Sequence, residues 1–182
     1  MKKLCLLLIA LIGVTSLVYA QSSADKTTIY IVRHGEKDLS DPKNPDPQLS
    51  SEGLARAKSL AARLKREKFA AVFSTKYKRT TQTGELVAKK NKVAIAFYNP
   101  SDPKSLAELI KSRYKGKKVL IIGHSNTVLE LAEAFGVTRP LFALTDDDYD
   151  FIFKVDVNDN GYASLSTGNY GMPHHTSVIK KN

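Results

Sequence analysis

The chain has 182 residues, 42% of them hydrophobic and 25% charged, with 28 Lys and Arg against 18 Asp and Glu, a formal net charge of +10. A single cysteine excludes a disulfide framework, and lysines scattered along the whole chain lack the basic arm and interleaved aromatics of a nucleic-acid surface. The balance favours anionic partners instead, whether phosphorylated compounds, acidic polymers or an anionic cell surface.

Lys2 and Lys3 precede an almost unbroken apolar run from Leu4 to Val18, and Val18-Tyr19-Ala20 then stands before Gln21. That layout predicts a signal peptide over 1–20, cleaved after Ala20, and therefore export to the periplasm or beyond. The run is shorter than the about 20 apolar residues a membrane helix wants, so no stable span is expected after cleavage. Cleavage removes the only cysteine, Cys5, and takes the charge from +10 to +8 with Lys2 and Lys3. Residues 21–182 then fit a single domain, which at this size buries roughly 70% of its unfolded surface without staples.

Thr27 to Val32 is apolar and β-branched, a buried strand that runs into Arg33-His34-Gly35. Asp38 to Gln48, with three prolines, is a loop. Ser50 or Ser51 caps a helix whose Leu54, Ala57, Leu60, Ala61 and Leu64 recur at helical spacing through about Arg66. Phe69 to Phe73 is a second strand ending at Ser74, followed by a helix over Thr80 to Lys90 with lysines near its C-terminus. Val93 to Phe97 reads as a third strand and Ser101 to Arg113 as a helix opened by Asp102 and Pro103. Lys118 to Ile122 is a fourth strand, and Gly123-His124-Ser125-Asn126 leads into a helix over Thr127 to Phe135. Phe151 to Val157 and Tyr162 to Ser166 make a hairpin across Asn158 to Gly161.

Strands alternating with helices predict an α/β fold: a mostly parallel twisted sheet with helices on both faces and a C-terminal β-hairpin. Ligands of such sheets bind beyond the carboxyl ends of the strands. His34 follows the first strand, Ser74 and Arg79 the second, and His124 the fourth, so residues far apart in sequence converge on one rim.

A phosphate dianion calls for guanidinium groups, whose planar fork matches two oxygens at once. Its transfer calls for a nucleophile active at neutral pH, which a neutral imidazole is, and for donors aimed at the equatorial oxygens. Arg33, His34, Arg79 and His124 supply these parts. Gly35 removes a side chain where backbone must approach the phosphate or give a carbonyl to His34. Ser125 and Asn126 open a helix whose free N–H groups favour an anion.

Through these residues the sequence resembles the histidine phosphatase superfamily, in the short branch that includes phosphohistidine phosphatases and phosphoglycerate-mutase-like phosphatases. The matching segments run in order: Ile29 to Lys37 around Arg33-His34-Gly35, Leu49 to Ala57, Phe73-Ser74-Thr75 with Arg79 to Thr83, and Val119 to Ser125 around Gly123-His124. The resemblance implies a phosphatase in which His34 is phosphorylated transiently while Arg33, Arg79 and His124 bind the phosphoryl group, without metal or cofactor. Its substrate would be a small phosphorylated compound or a phosphoprotein. Mutase-like phosphoryl transfer and a non-catalytic phosphate-binding module on the same fold are the alternatives.

Departures from the family concern the proton donor. Long-branch phosphatases resemble Arg-His-Gly-x-Arg-x-Pro, whereas Glu36, Lys37 and Asp38 follow here. Between Arg79 and His124 only Glu85 and Glu108 occur, both at helical positions, so the donor that mutases carry there is not evident. Glu36 is the carboxylate nearest the nucleophile, against a competing role in a salt bridge; Asp102 and Asp146 to Asp148 are rivals, the latter also fitting a solvated loop. Lys37 is a candidate phosphate ligand in place of the Asn that mutase-like enzymes place where Ser40 stands. His174 and His175 are adjacent and cannot share one face of a strand, which disfavours a metal site. Thr176 to Asn182 reads as a frayed end or a late strand edge.

Overall fold

The computed structural model describes residues 26–178, so the predicted signal peptide and the last four residues lie outside it. Six strands form one sheet in the order β3-β2-β4-β1-β5-β6. They are β1 (Thr27–Arg33), β2 (Ala71–Ser74), β3 (Ile95–Phe97), β4 (Lys118–Gly123), β5 (Phe151–Val157) and β6 (Ala163–Asn169). Between them lie α1 (Ser51–Arg63), α2 (Lys78–Asn91), α3 (Pro103–Arg113) and α4 (Val128–Ala134). Strands β1 to β4 pair in parallel, while β5 joins β1 and β6 antiparallel. The expected mostly parallel sheet with a C-terminal hairpin is the one observed.

Side-chain alternation in the strands decides how the layers form. Ile29 and Ile31 of β1, with Phe73, Val119, Ile121 and Phe153, face α3 and α4. Tyr30 and Val32, with Val72, Leu120, Ile122 and Ile152, face α1 and α2. Burial on both faces is why these strands read as continuous apolar runs rather than alternating ones. Each fully buried Ile or Leu contributes about 1.5–3 kcal/mol relative to exposure. No helix among the described residues is long and apolar enough to cross a membrane.

Two predicted helix caps are observed, while other element ends depart from the sequence reading. Ser50 is the N-cap of α1, its hydroxyl accepting from Gly53 N–H, and Asp102 caps α3 through Ser105 N–H with Pro103 in the first turn. Val93 follows the left-handed C-cap Lys92 and closes the end of α2 rather than starting a strand, because its N–H donates to the Ala88 carbonyl. The last helix begins at Val128, one residue later than predicted. Thr127 and Val128 both donate to the His124 carbonyl, which makes Ser125 to Thr127 a turn. Strand β6 runs three residues past Ser166, since its pairing with β5 continues to Asn169 opposite Phe151.

Candidate active site

The carboxyl ends of β1, β2 and β4 share one rim, because Arg33 is in register with Gly123 and Ser74 with Ile122. Beyond them opens a polar cleft of about 510 Å³. Arg33, His34, Lys37, Arg79, His124 and Asp146 are among the residues that line it. Four of the predicted residues thus meet where the topology required, and Lys37 reaches the same cleft.

The loop after β1 is held on several sides. His34 N–H donates to the Gly123 carbonyl at 3.0 Å, and Gly35 N–H donates to the Thr83 hydroxyl at 3.0 Å. Thr83 in turn donates to the Arg79 carbonyl, and Leu49 N–H donates to Gln82. The residues after Arg79 therefore buttress the loop that carries His34. Gly35 itself answers to packing: a Cβ there would stand 2.9 Å from the Gly53 carbonyl oxygen at the start of α1. A Cβ on Gly53 would meet the Glu36 carbonyl at 2.1 Å, so both glycines are needed for one backbone-to-backbone approach.

His34 has its tautomer assigned by its neighbours. Nδ1 lies 2.7 Å from the Gly35 carbonyl, which only accepts, so Nδ1 carries the proton. Burial lowers the ring's pKa to about 3, with Arg33, His124 and Arg79 pushing the same way against the Gly35 hydrogen bond. The ring is neutral at pH 7, and its lone pair sits on Nε2. That nitrogen accepts from Arg79 Nε at 3.3 Å.

His124 lies edge-on to His34, ring centres 5.3 Å apart, and burial with Arg79 and Arg33 lowers its pKa to about 4. Its Nε2 is 3.0 Å from the Thr75 hydroxyl, which bonds Thr80, the latter donating to the Tyr77 carbonyl. Arg33 is only 4% exposed. One guanidinium nitrogen donates to the carbonyls of Thr145, Asp146 and Asp148, and the group lies over the Tyr149 ring at 3.9 Å. Burial lowers its pKa, yet a guanidinium stays protonated. Its second terminal nitrogen lies 3.6 Å from the Asp146 carboxylate. Arg79 has only a loose carboxylate, Asp46 at 3.9 Å, and its guanidinium covers Tyr77. Positive charge exceeds negative in the cleft, which suits a dianion.

Glu36 does not line the cleft. Its carboxylate takes hydrogen bonds from Arg56 Nε and NH2 and from His174 Nδ1, the shortest 2.7 Å. Burial acts to raise its pKa, but the bonds from Arg56 and His174 outweigh it and hold the group below its ordinary range. An ionised carboxylate locked on the far side of the loop is a poor proton donor, so the candidate acid is corrected to a structural ion pair.

In the Asp146–Asp148 stretch Asp146 and Asp147 are exposed, as a solvated loop would have them, but Asp148 is not. Asp148 is fully buried and accepts from Thr145 N–H and hydroxyl, Thr176 N–H, and Ser177 N–H and hydroxyl. It pins the segment that a frayed end was expected to occupy. His174 pairs with Glu36 and His175 with buried Asp150, so the two adjacent rings part to different carboxylates. Ser125 and Asn126 line the cleft from the turn before α4. Thr75, Thr80, Tyr77 and Tyr149 escaped the sequence reading as site residues. The threonines carried a signal in their place beside Ser74 and Arg79, whereas Tyr149 carried none.

Residues 29–99, from β1 through β3, match the model of the histidine phosphatase superfamily, branch 1. Solved structures of the same fold include the protein histidine phosphatase SixA complexed with tungstate, at 18% identity over 78% of this chain and 96% of the other, with a TM-score of 0.64. A mycobacterial glucosyl-3-phosphoglycerate phosphatase matches at 13% identity over 80% and 100%, also with a TM-score of 0.64. No curated protein matches the chain in sequence. Over residues 29–99 the chain is thus similar to the histidine phosphatase superfamily, and its fold is that of the solved phosphatases.

Proposed function

We propose that the protein is an exported, metal-independent phosphatase that hydrolyses a phosphate monoester or phosphoramidate through a phosphohistidine on His34. The observation that carries this reading is the assigned lone pair: His34 Nε2 is unprotonated and lies among Arg33, Arg79 and His124. In the first step Nε2 attacks phosphorus while the arginines neutralise the equatorial oxygens and neutral His124 contacts them. The Gly35 carbonyl holds the Nδ1 proton and stabilises the positive ring that forms. Water then displaces the imidazole and returns it neutral. Hydrolysis rather than a mutase cycle is favoured by the open polar cleft, which admits water to the phosphohistidine.

Incubation with p-nitrophenyl phosphate in excess chelator tests the reading. The expected result is turnover by the wild type, unaffected by chelator and abolished in His34→Ala. Tight phosphate binding without turnover would make the chain a binding module. Export is tested by the mature N-terminus, which is expected at Gln21 in the extracytoplasmic fraction.

A further inference from the structure

We infer that Asp146 is the proton donor to the leaving group, which makes monoesters of ordinary alcohols part of the substrate class; the inference rests on the phosphatase reading above.

Elimination leads to it. Asp146 is the only carboxylate among the described residues that line the cleft. Glu36 is held by Arg56 and His174 behind the loop. Asp46 accepts from the backbone of Lys78, and Asp102 is spent as the cap of α3. Asp148 and Asp150 are buried under the C-terminal segment, with hydrogen bonds to Thr145, Thr176 and Ser177 and to His174 and His175.

Placement supports it independently. The Thr145 and Asp146 carbonyls accept from Arg33, and Asp148 caps the same turn through Thr145 N–H at 2.6 Å. The backbone of Asp146 is thereby tied to the phosphate clamp, while its side chain is free in solvent, 3.6 Å from Arg33 NH2. A phosphoryl group seated on Arg33 would displace that contact and leave the carboxyl beside the bridging ester oxygen.

The step balances without a co-reactant. The His34 Nε2 lone pair forms the N–P bond, the P–O ester bond breaks, and its electron pair goes to the leaving oxygen. The phosphate dianion seated beside Asp146 favours the protonated form of its carboxyl, and that proton moves onto the leaving oxygen, which departs as an alcohol. The resulting carboxylate then takes a proton from the attacking water as the N–P bond breaks and the electron pair returns to Nε2.

Leaving-group dependence tests the assignment. An alkyl oxygen needs a proton as it departs, whereas p-nitrophenolate does not. Asp146→Asn is expected to lose about 10²–10⁴ in kcat/KM on ethyl phosphate and to keep nearly wild-type kcat/KM on p-nitrophenyl phosphate. Ethyl phosphate carries no cation, so a mere electrostatic grip on the substrate would not produce that split. Equal loss on both esters, no loss on either, or a wild type that turns over only the aryl ester would each overturn the assignment while leaving the phosphatase reading intact. A wild type inert on both, like His34→Ala, would overturn the phosphatase reading and this inference with it.

Discussion

Two charged clusters flank the short loop that follows β1, and they are built on opposite principles. On the cleft side Arg33 and Arg79 stand with neutral His34 and His124, and the carboxylates nearest the arginines are loose, at 3.6 and 3.9 Å. Behind the loop every charge is matched. Arg56 grips Glu36 at 2.7 Å and also donates to the carbonyls of Tyr170 and Met172. His174 completes the Glu36 pair and His175 meets Asp150. Matched charge in a buried place holds elements together, here α1, the His34 loop and the C-terminal segment. Unmatched positive charge held rigidly at strand ends is destabilising by itself, so it implies an anion that the fold is prepared to receive.

The comparison breaks most visibly at His34. Replacing it with Ala is expected to cost about 10⁴–10⁶ in kcat, as for a nucleophile knockout, with almost no change in the urea midpoint. A folded His34→Ala enzyme of undiminished rate would remove the cleft from the chemistry. The mirror experiment is Arg56→Ala, which strands Glu36 and should lower stability by about 3–5 kcal/mol, the cost of breaking a buried pair. Turnover per folded molecule should change little; a specific loss of turnover would show that the two clusters are not separate.

Arg79→Ala is expected to lose about 10²–10³ in kcat/KM, the range for removing one preorganised donor, while thermal unfolding stays near that of the wild type. Glu36→Gln sharpens the separation further. It should keep its rate on ethyl phosphate and lose about 1–3 kcal/mol from the weakened charge-assisted bonds, read by urea unfolding. A rate loss without a stability loss would return Glu36 to the catalytic set.

A further effect concerns pH. His34 and His124 are depressed in the folded state to about 3 and about 4, from an ordinary 6.5. Between pH 6.5 and 4 the unfolded chain therefore binds protons that the folded one does not, and stability falls as pH falls through that window. Urea midpoints should decline from pH 7 to 4, and less steeply in His34→Ala; parallel curves would contradict the burial of a neutral ring.

Much of this was legible in the chain because the signals were local. Apolar β-branched runs between helical periods define β1, β2 and β4, and parallel strands must end on one rim, which alone brings Arg33, His34, Arg79 and His124 together. Ser50 and Asp102 announced their helices by cap chemistry. Hidden from the sequence were the partners of ionisable groups, since each depends on a contact more than 19 positions away: Arg56 with Glu36, His174 with Glu36, Arg33 with Thr145. Proximity in sequence therefore misled for Glu36, two residues from His34 yet turned behind it.

The sequence by itself determined the layers, the rim and the residues that meet on it, because periodicity and strand order are properties of short segments. Tertiary structure alone decided which carboxylate faces the cleft. A side chain's direction from a loop depends on what packs against its backbone, and here that is α1 on Glu36 and Arg33 on Asp146.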